Sequence, residues 1–227
     1  MDDGIGRIVK ALDERGMRDK TLIVFSSDNG GPLNLGATNG PLRAGKGTLY
    51  EGGVRVVAFA NWPGVLKAGS VVNEPLHMVD WYPTLLGLAG ASRGQSLPLD
   101  GRDAWGTIAK GQPSPRDEIL HNVTPTSGAI RLGQWKLVVR SGADGGTGEV
   151  PRRTGRNARP QGQQVELFHL ATDPGEKQNR AETEPDKVRE LKARLDAYSA
   201  MAVPPRNKPQ PKDFQVPKVW GEHASRN

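Results

Sequence analysis

An apolar run followed by a glycine-dense segment most limits what this chain can fold into. "TLIVF" occupies residues 21 to 25, and "SSDNGGPLNLGATNGPLRAGKGTLYEGGVRV" follows at residues 26 to 56 with eight glycines. A short, β-branched apolar run is typical of a strand buried on both faces, as in parallel sheets covered by helices. Glycine permits the tight turns that must follow it. The sequence therefore predicts a buried strand that opens into a long, closely turned loop.

The flanking residues predict an α/β arrangement. Apolar side chains recur at helical spacing in residues 5 to 12, and Gly16 follows where a C-terminal cap is needed. "VRVVAFANWP", at residues 54 to 63, predicts a second strand. In "HMVDWYPTLLGLAG", Asp80 is expected to cap a further helix that ends at Gly90. Helices and strands thus alternate along this part of the chain.

The pattern changes after residue 112. Prolines in "QPSPRDE" mark a boundary, and "AIRLGQWKLVVR" and "VELFHL" predict three short antiparallel strands. Thr183 is placed to cap a helix whose apolar positions would cover this sheet, namely Val188, Leu191, Leu195 and Tyr198. We therefore expect an α/β region at residues 1 to 112, a small α+β subdomain at 113 to 202, and an extended tail at 203 to 227.

Composition limits the possible functions. The chain of 227 residues has no cysteine, so neither a disulfide framework nor a thiolate site is possible. Its net charge of +6 and pI near 9.7 favour anionic partners. No stretch of about 18 apolar residues predicts a membrane span, and the amino terminus has no apolar signal-peptide core. We expect either a cytosolic chain or one that lacks its true beginning.

Asp28 and Asn29 lie just past the carboxyl end of the first predicted strand, where open α/β sheets present ligand-binding groups. A carboxylate and an amide carbonyl are hard oxygen ligands that suit calcium or magnesium. The same residues, followed by Gly30 and Gly31, also form a common turn sequence. From the residues alone, both a plain turn and part of a metal site remain open.

Lys46 stands between two glycines, so its ammonium could reach an anion, although a solvated surface lysine fits equally well. The segment "GPLRAGKG", at residues 40 to 47, approaches a phosphate-binding P-loop. Gly47 occupies the position where that motif needs a hydroxyl to hold magnesium. Nucleotide hydrolysis is therefore disfavoured.

Seven ordered segments together resemble the carboxyl-terminal half of a sulfatase, closest to the arylsulfatase B (N-acetylgalactosamine-4-sulfatase) type. They are "FSSDNGG", "PLRAGKGTLYEGGVRV", "HMVDWYPTLLGLAG", "LPLDGRDAW", "PSPRDEILHNVTP", "AIRLGQWKLV" and "ELFHLATDPGEKQN". The resemblance implies part of an alkaline-phosphatase-like α/β domain, followed by a small antiparallel sheet packed on one helix. It also implies hydrolysis of sulfate esters, of sulfated sugars or aryl sulfates, in a periplasmic, secreted or lysosomal-type compartment.

The resemblance implies roles for three residues. Asp28 and Asn29 match the family's calcium-binding "DNGG" pair, and Lys46 matches a lysine that contacts the substrate sulfate. The family's nucleophile is a formylglycine made from a Cys/Ser-x-Pro-x-Arg motif, and the chain has no cysteine and no Ser-x-Pro-x-Arg. We therefore assign no catalytic residue, and we expect the isolated chain to be inactive without the missing amino-terminal half of the sulfatase. An exposed sheet edge is also expected where that half would pair.

Other residues offer weaker candidates. Ser114-Pro115-Arg116 and Ser96 to Asp100 approach the nucleophile motif without matching it, and we interpret both as loops. His77 and His121 could serve as acids, but packing or loop hydrogen bonding is the expected role.

Two alternative functions remain open. The Arg/Gly-rich insert at residues 142 to 164 could form a polyanion-binding arm through Arg152, Arg153, Arg156 and Arg159. The insert lacks aromatics for base stacking, so nucleic acid is not an expected partner. A non-catalytic interaction module is the other alternative.

Overall fold

The computed structural model describes residues 1 to 121, 127 to 140 and 162 to 203. The α-helices of these residues are α1 (Asp2–Glu14), α2 (Glu51–Val54), α3 (Trp81–Leu88), α4 (Trp105–Lys110) and α5 (Pro185–Met201). The strands are β1 (Ile23–Ser26), β2 (Ala58–Asn61), β3 (Glu118–His121), β4 (Gly128–Leu132), β5 (Trp135–Arg140) and β6 (Gln164–His169). The strands form a sheet of two and a sheet of four.

The two-stranded sheet corrects one expectation. β1 pairs antiparallel with β2, and the rings of Phe25 and Phe59 stack at 4.8 Å across the pair. Val24 is 37% exposed and Phe59 45% exposed. The expected parallel strand buried on both faces is therefore wrong within the described residues. After the glycine-dense segment the chain runs back alongside β1, and the described residues place no strand on its other edge.

Helix α1 forms where the apolar spacing predicts it, and Gly16 follows it in the left-handed conformation with φ +61°. Its apolar stripe is only partly covered, since α1 has no fully buried residue, Ile8 is 59% exposed, and Ile5, Val9 and Leu12 are half-buried. An amphipathic helix without a packing partner gains little from burial. Exposed apolar side chains of the two-stranded sheet and of α1 therefore lie in the first part of the chain.

The four-stranded sheet is antiparallel throughout, in the order β3-β4-β5-β6. β4 and β5 meet at the expected Gly-Gln turn, where Gly133 takes φ +57°. β3 was not predicted, because prolines precede it closely and its four residues are too few to show an alternating pattern.

Both faces of this sheet are covered. On one face, α5 buries Leu191 and Leu195 against Ile130, Leu137 and Leu167, and the predicted positions Val188 and Tyr198 pack beside them. On the other face, Ala129, Val138 and Phe168 pack against Tyr50 from the amino-terminal part of the chain. The sheet therefore forms the core that joins the two parts of the sequence.

The start of α5 differs in detail from the prediction. Pro185 is the first helical residue, and the residue that precedes the helix, Glu184, makes no side-chain cap. The hydroxyl of Thr183 donates instead to the carbonyl of Arg180. Thr183 is thus not the cap, because its side chain closes the preceding turn.

Asp80 also has a different role from the expected one. It precedes α3 without capping it, and its buried carboxylate accepts hydrogen bonds from the side chain of Arg116 and from the backbone N–H of Arg102 and His77. Burial alone would raise the pKa of Asp80, but these donors together hold it below its usual value. The Asp80–Arg116 pair therefore fixes the segment after α4 against the start of α3.

The predicted domain bounds stay predictions. The insert at 142 to 164, the tail at 203 to 227 and the four arginines of the insert lie almost wholly outside the described residues. Among the helices that the structure describes, none is long and apolar enough to cross a membrane.

Replacing Asp80 with asparagine should lower the free energy of unfolding by about 3 to 5 kcal/mol at pH 7, because it leaves a largely buried arginine without its counter-charge. Since the pKa of Asp80 is lowered in the folded state, the difference from the wild type should be full at neutral pH and fade as the pH falls through that pKa. Urea titration followed by circular dichroism measures both. Asp196→Asn, in the exposed pair with Lys192 on α5, is the control and should cost less than about 1 kcal/mol. Equal effects of the two substitutions would contradict the role given to Asp80.

Candidate functional site

Asp28 and Asn29 lie in the loop directly after β1. Asp28 is exposed, and its carboxylate has no hydrogen bond or ion pair to another described residue. Asn29 is half-buried, and its Nδ2 donates to the carbonyl of Gly30 at 3.0 Å. This bond turns the amide so that Oδ1 has no protein partner in the described part of the chain. The pair thus presents a carboxylate and an amide oxygen without protein donors.

The loop that carries Lys46 is tied to the Asp-Asn loop by backbone and side-chain bonds. Asn39 Oδ1 accepts from the N–H of Gly31 at 2.8 Å, and its Nδ2 donates to the carbonyls of Gly31 and Ala44 at 3.1 and 2.8 Å. The N–H of Lys46 itself donates to the carbonyl of Gly31 at 3.2 Å. One asparagine therefore fastens together the two loops that contain all three predicted residues.

Two glycines of these loops are required by close contact. A Cβ at Gly30 would lie 1.7 Å from the carbonyl oxygen of Gly52, and one at Gly45 would lie 2.4 Å from that of Gly31. No side chain can be accommodated at such distances. The glycine density of the sequence therefore reflects tightly packed backbones as well as turns.

Lys46 projects from this packed base. The residue is exposed, whereas Gly45 before it is buried, and its ammonium makes no hydrogen bond or ion pair with the described residues. An ammonium held on a fixed backbone but free at its tip can bind an anion without first breaking an ion pair. The structure thus brings the loops of Asp28, Asn29 and Lys46 together.

The described residues contain no cluster of three or more histidine, aspartate or glutamate side chains that could hold a metal ion. Asp28 and Asn29 could therefore supply only part of a coordination shell, as hard oxygen donors that suit calcium.

A buried lysine forms ion pairs with two glutamates, one of which follows the Lys46 loop in the sequence. Lys136 on β5 is fully buried, and its ammonium lies 2.8 Å from Glu51 Oε1 and 2.9 Å from Glu176 Oε1. Glu176 Oε2 also accepts from the backbone N–H of Glu51 at 2.6 Å. Burial raises the pKa of Glu176, against the lowering effect of the lysine. Three distant parts of the sequence thus meet in one charged cluster.

A second polar layer lies beside this cluster. The hydroxyl of Tyr50 donates to Glu166, which also pairs with Arg43 and with Arg140, each at 3.2 Å. The guanidinium of Arg43 lies 3.8 Å from the ring centre of Tyr50. Burial and the Glu166 carboxylate raise the pKa of Tyr50, so it remains a hydrogen-bond donor at neutral pH. This layer holds Arg43, three residues before Lys46, in place.

Neither layer was predicted from the sequence. Lys136 stands in "QWKLVVR", where apolar residues occupy both alternating faces of the strand. That pattern indicates burial on both sides and could have marked the lysine as an internal charge in need of carboxylate partners. The identity of those partners depends on contacts 85 and 40 residues away along the chain, which a local pattern does not contain.

The two candidate histidines differ in their contacts, since His77 makes a side-chain hydrogen bond whereas the buried Nε2 of His121 has no hydrogen-bond partner among the described residues. His77 Nδ1 accepts from the N–H of Val79 at 3.2 Å, so it closes a turn as expected. Burial is the main cause that lowers the pKa of His77, and the positive charge of Arg116 lowers it further. Burial also lowers the pKa of His121, to about 3, and the positive charge of Lys136 adds to this effect. The lowered pKa values favour the neutral imidazole, which is a weaker acid toward a leaving group than the imidazolium.

The near-motif at residues 114 to 116 is also structural. Ser114 donates to the carbonyl of Pro75, and Arg116 pairs with Asp80. Neither group is free for chemistry.

Replacing Lys136 with methionine should destabilise the protein by about 3 to 5 kcal/mol at pH 7, because it removes the buried cation between two buried carboxylates. The exposed guanidinium of Arg55, 3.9 Å from Glu51 Oε2, would then be the nearest cation of the described residues. One of the two carboxyl groups should take up a proton, which raises its pKa in the folded variant, so the deficit should shrink as the pH falls from 7 to 5. Urea unfolding of variant and wild type at both pH values measures this difference. Lys136→Met combined with Glu176→Gln should recover part of the loss at pH 7. A deficit that is the same at both pH values would contradict this account of the cluster.

Known proteins are similar to this chain over most of its length. A family model described as "Sulfatase" matches residues 1 to 91. Arylsulfatase J of Mus musculus is 34% identical over 241 residues, which cover 92% of this chain and 40% of that protein. N-acetylgalactosamine-6-sulfatase of Mus musculus is 35% identical over 192 residues, which cover 78% of this chain and 37% of that protein.

A solved structure gives the same picture. The structure of Ps i-CgsB in complex with k-i-k-neocarrahexaose matches with a TM-score of 0.70 at 33% identity, over 87% of this chain and 40% of that one. The chain thus spans about 40% of the length of these relatives. The expected fold class, part of an alkaline-phosphatase-like α/β sulfatase fold with a small antiparallel sheet on one helix, is confirmed.

Proposed function

The chain belongs to the sulfatase family, and from this premise we propose that it is the carboxyl-terminal part of an enzyme that hydrolyses sulfate esters. The observation that carries the proposal is the joining of the Asp-Asn loop to the Lys46 loop through Asn39 and the Lys46 N–H. A cation site and an anion-binding ammonium on one rigid base suit a sulfate group, which is an anion whose oxygens a cation polarises.

Sulfated glycans are the proposed substrate class. Relatives include an N-acetylgalactosamine sulfatase and a protein whose structure holds a neocarrahexaose. The arylsulfatase B type is a finer part of the proposal. It rests on the seven resembling segments, while relatives with several different names match at nearly equal identity.

Calcium is the proposed cofactor, held in part by Asp28 and Asn29. The exposed, unpaired carboxylate and the free amide oxygen fit a hard cation, and the protein offers them no competing donor in the described residues. When bound, the ion would draw negative charge from the sulfate oxygens. Lys46 is proposed to contact the same sulfate and to neutralise charge that develops on it.

The nucleophile is proposed to come from sequence outside these 227 residues, which contain no cysteine and no Ser-x-Pro-x-Arg. Exposed apolar side chains in the first part of the chain support a covering partner, since Leu35 is 79%, Val57 70% and Val71 79% exposed. We propose that the amino-terminal half of the sulfatase covers this surface and completes the site. No observation in the described residues favours the alternatives of a polyanion arm or a non-catalytic module.

Sulfate release tests the proposal. The chain alone should release no sulfate from a sulfated oligosaccharide, whereas the chain combined with a sulfatase amino-terminal half that carries the Cys/Ser-x-Pro-x-Arg motif should release it. In that complex Lys46→Ala should lower kcat/KM by roughly a hundredfold, because it removes a charge aimed at the reacting group. Lys67→Ala, at another exposed lysine, should leave the rate unchanged. Release by the chain alone, or full activity of Lys46→Ala, would overturn the proposal.

Calcium binding has a separate test. Asp28→Asn should weaken calcium binding by about tenfold or more, since it removes the one full negative charge of the pair. Terbium luminescence with calcium competition measures the affinity. Asp117→Asn, at another exposed aspartate, is the matched control and should bind calcium as the wild type does. Equal affinity of the Asp28 and Asp117 variants would place the ion elsewhere.

A further inference from the structure

A cleft of about 550 Å³ lies next to the loop that carries Lys46. One wall is the segment from Pro41 to Arg43, and the other is the segment from Gly175 to Asn179, which follows β6. The volume is in the range of small-molecule sites. The side chains that line it include Arg43, Glu166, Phe168, Glu176, Lys177 and Asn179.

The carboxylates of the cleft are already neutralised. Glu166 pairs with Arg43 and Arg140 and accepts from Tyr50. Glu176 pairs with the buried Lys136. A negatively charged ligand would therefore meet two acids whose charge is balanced by nearby cations.

The groups that remain free in the cleft are donors. Lys177 is exposed, and its ammonium has no partner among the described residues. Asn179 uses Oδ1 to accept from the N–H of Leu167 and of Ala181, both at 3.0 Å, so its Nδ2 is left as an unpaired donor. An ammonium beside an amide N–H₂ suits an anionic group with neighbouring oxygens, such as a sulfate or carboxylate on a sugar.

The walls are held in unusual backbone conformations. Ala44 has φ +59° and Glu176 has φ +51°, which are left-handed conformations that cost non-glycine residues energy. Glu176 nevertheless keeps this conformation because its carbonyl accepts from Arg43 and its carboxylate binds Lys136 and the N–H of Glu51. A Cβ at Gly175 would lie 3.0 Å from the carbonyl oxygen of Pro41, so the two walls touch at their base. The cleft is thus preorganised.

We infer that this cleft is a second anion subsite, which binds an anionic sugar next to the one whose sulfate ester Lys46 contacts. The inference rests on the proposed function, because it places one substrate across both positions. Arg43 lines the cleft and precedes Lys46 by three residues in the same loop, so the inference places a second anionic group of one glycan in the cleft while its sulfate ester lies at Lys46. Lys177 and the Asn179 amide would bind the anionic group, and the balanced acids would accept from sugar hydroxyls.

Oligosaccharide length and two substitutions test the subsite. The 227-residue chain is titrated, by calorimetry with calcium present, with a homogeneous sulfated disaccharide and with the tetrasaccharide of the same repeat. The tetrasaccharide should bind about five- to tenfold more tightly, because it alone reaches the cleft.

Lys177→Gln should remove this advantage and leave disaccharide binding unchanged. Asn179→Asp keeps the oxygen that accepts from Leu167 and Ala181 but replaces the donor with a negative charge, so it should act in the same way.

Lys110→Gln, at an exposed lysine near the end of α4, controls for general charge effects. An equal loss with Lys110→Gln and Lys177→Gln, an equal loss for both sugars, or no tetrasaccharide binding at all would overturn the subsite. The proposed function fails separately, if the completed enzyme releases no sulfate or if Lys46→Ala does not weaken disaccharide binding. Lys177-dependent tetrasaccharide binding without sulfate release would leave the subsite standing and the proposed function refuted.

Discussion

The ion cluster of Lys136, Glu51 and Glu176 is the interaction on which the rest of this structure depends. A fully buried ammonium is costly unless carboxylates accompany it into the interior, and the two carboxylates come from residues 125 positions apart in the sequence. Glu51 opens the short helix that follows the Lys46 loop, and Glu176 lies beyond the last strand. The requirement to pair one charge therefore fixes the glycine-rich segment to the four-stranded sheet.

This pairing holds the segment around Tyr50 and Glu51 on the face of the sheet that α5 leaves open. Helix α5 packs on one face, as the apolar spacing of residues 188 to 198 predicts, while Tyr50 and its neighbours close the other. Asn39 and the close approach of Gly30 to Gly52 then join the Asp-Asn loop to the Lys46 loop. The exposed side chains of Asp28 and Lys46 thus stand on a backbone held by hydrogen bonds, and their proposed roles would require such a fixed base.

Much of the local structure could be predicted, and the misses have physical causes. The helices at residues 2 to 14 and 185 to 201, the hairpin at Gly133 and the strand at residues 164 to 169 follow from spacing and turn residues. The direction of β1 pairing was wrong because an apolar run shows burial but not the orientation of its neighbour. The cap roles of Asp80 and Thr183 were wrong because Arg116 and the turn at Arg180 compete for their oxygens.

The sequence by itself determined the family and most of the longer helices and strands, and it supplied the candidate residues, because these depend on short motifs and on spacing along the chain. The "DNGG" segment at residues 28 to 31 and the "GKG" segment at residues 45 to 47 can both be recognised from their residue types alone. Only the tertiary structure decided that Asn39 joins the two loops, that Lys136 is buried between two acids, and that a cleft with free donors is lined in part by the loop that carries Lys46. These features depend on contacts between residues far apart in sequence, where burial and charge pairing, rather than local preference, select the partner.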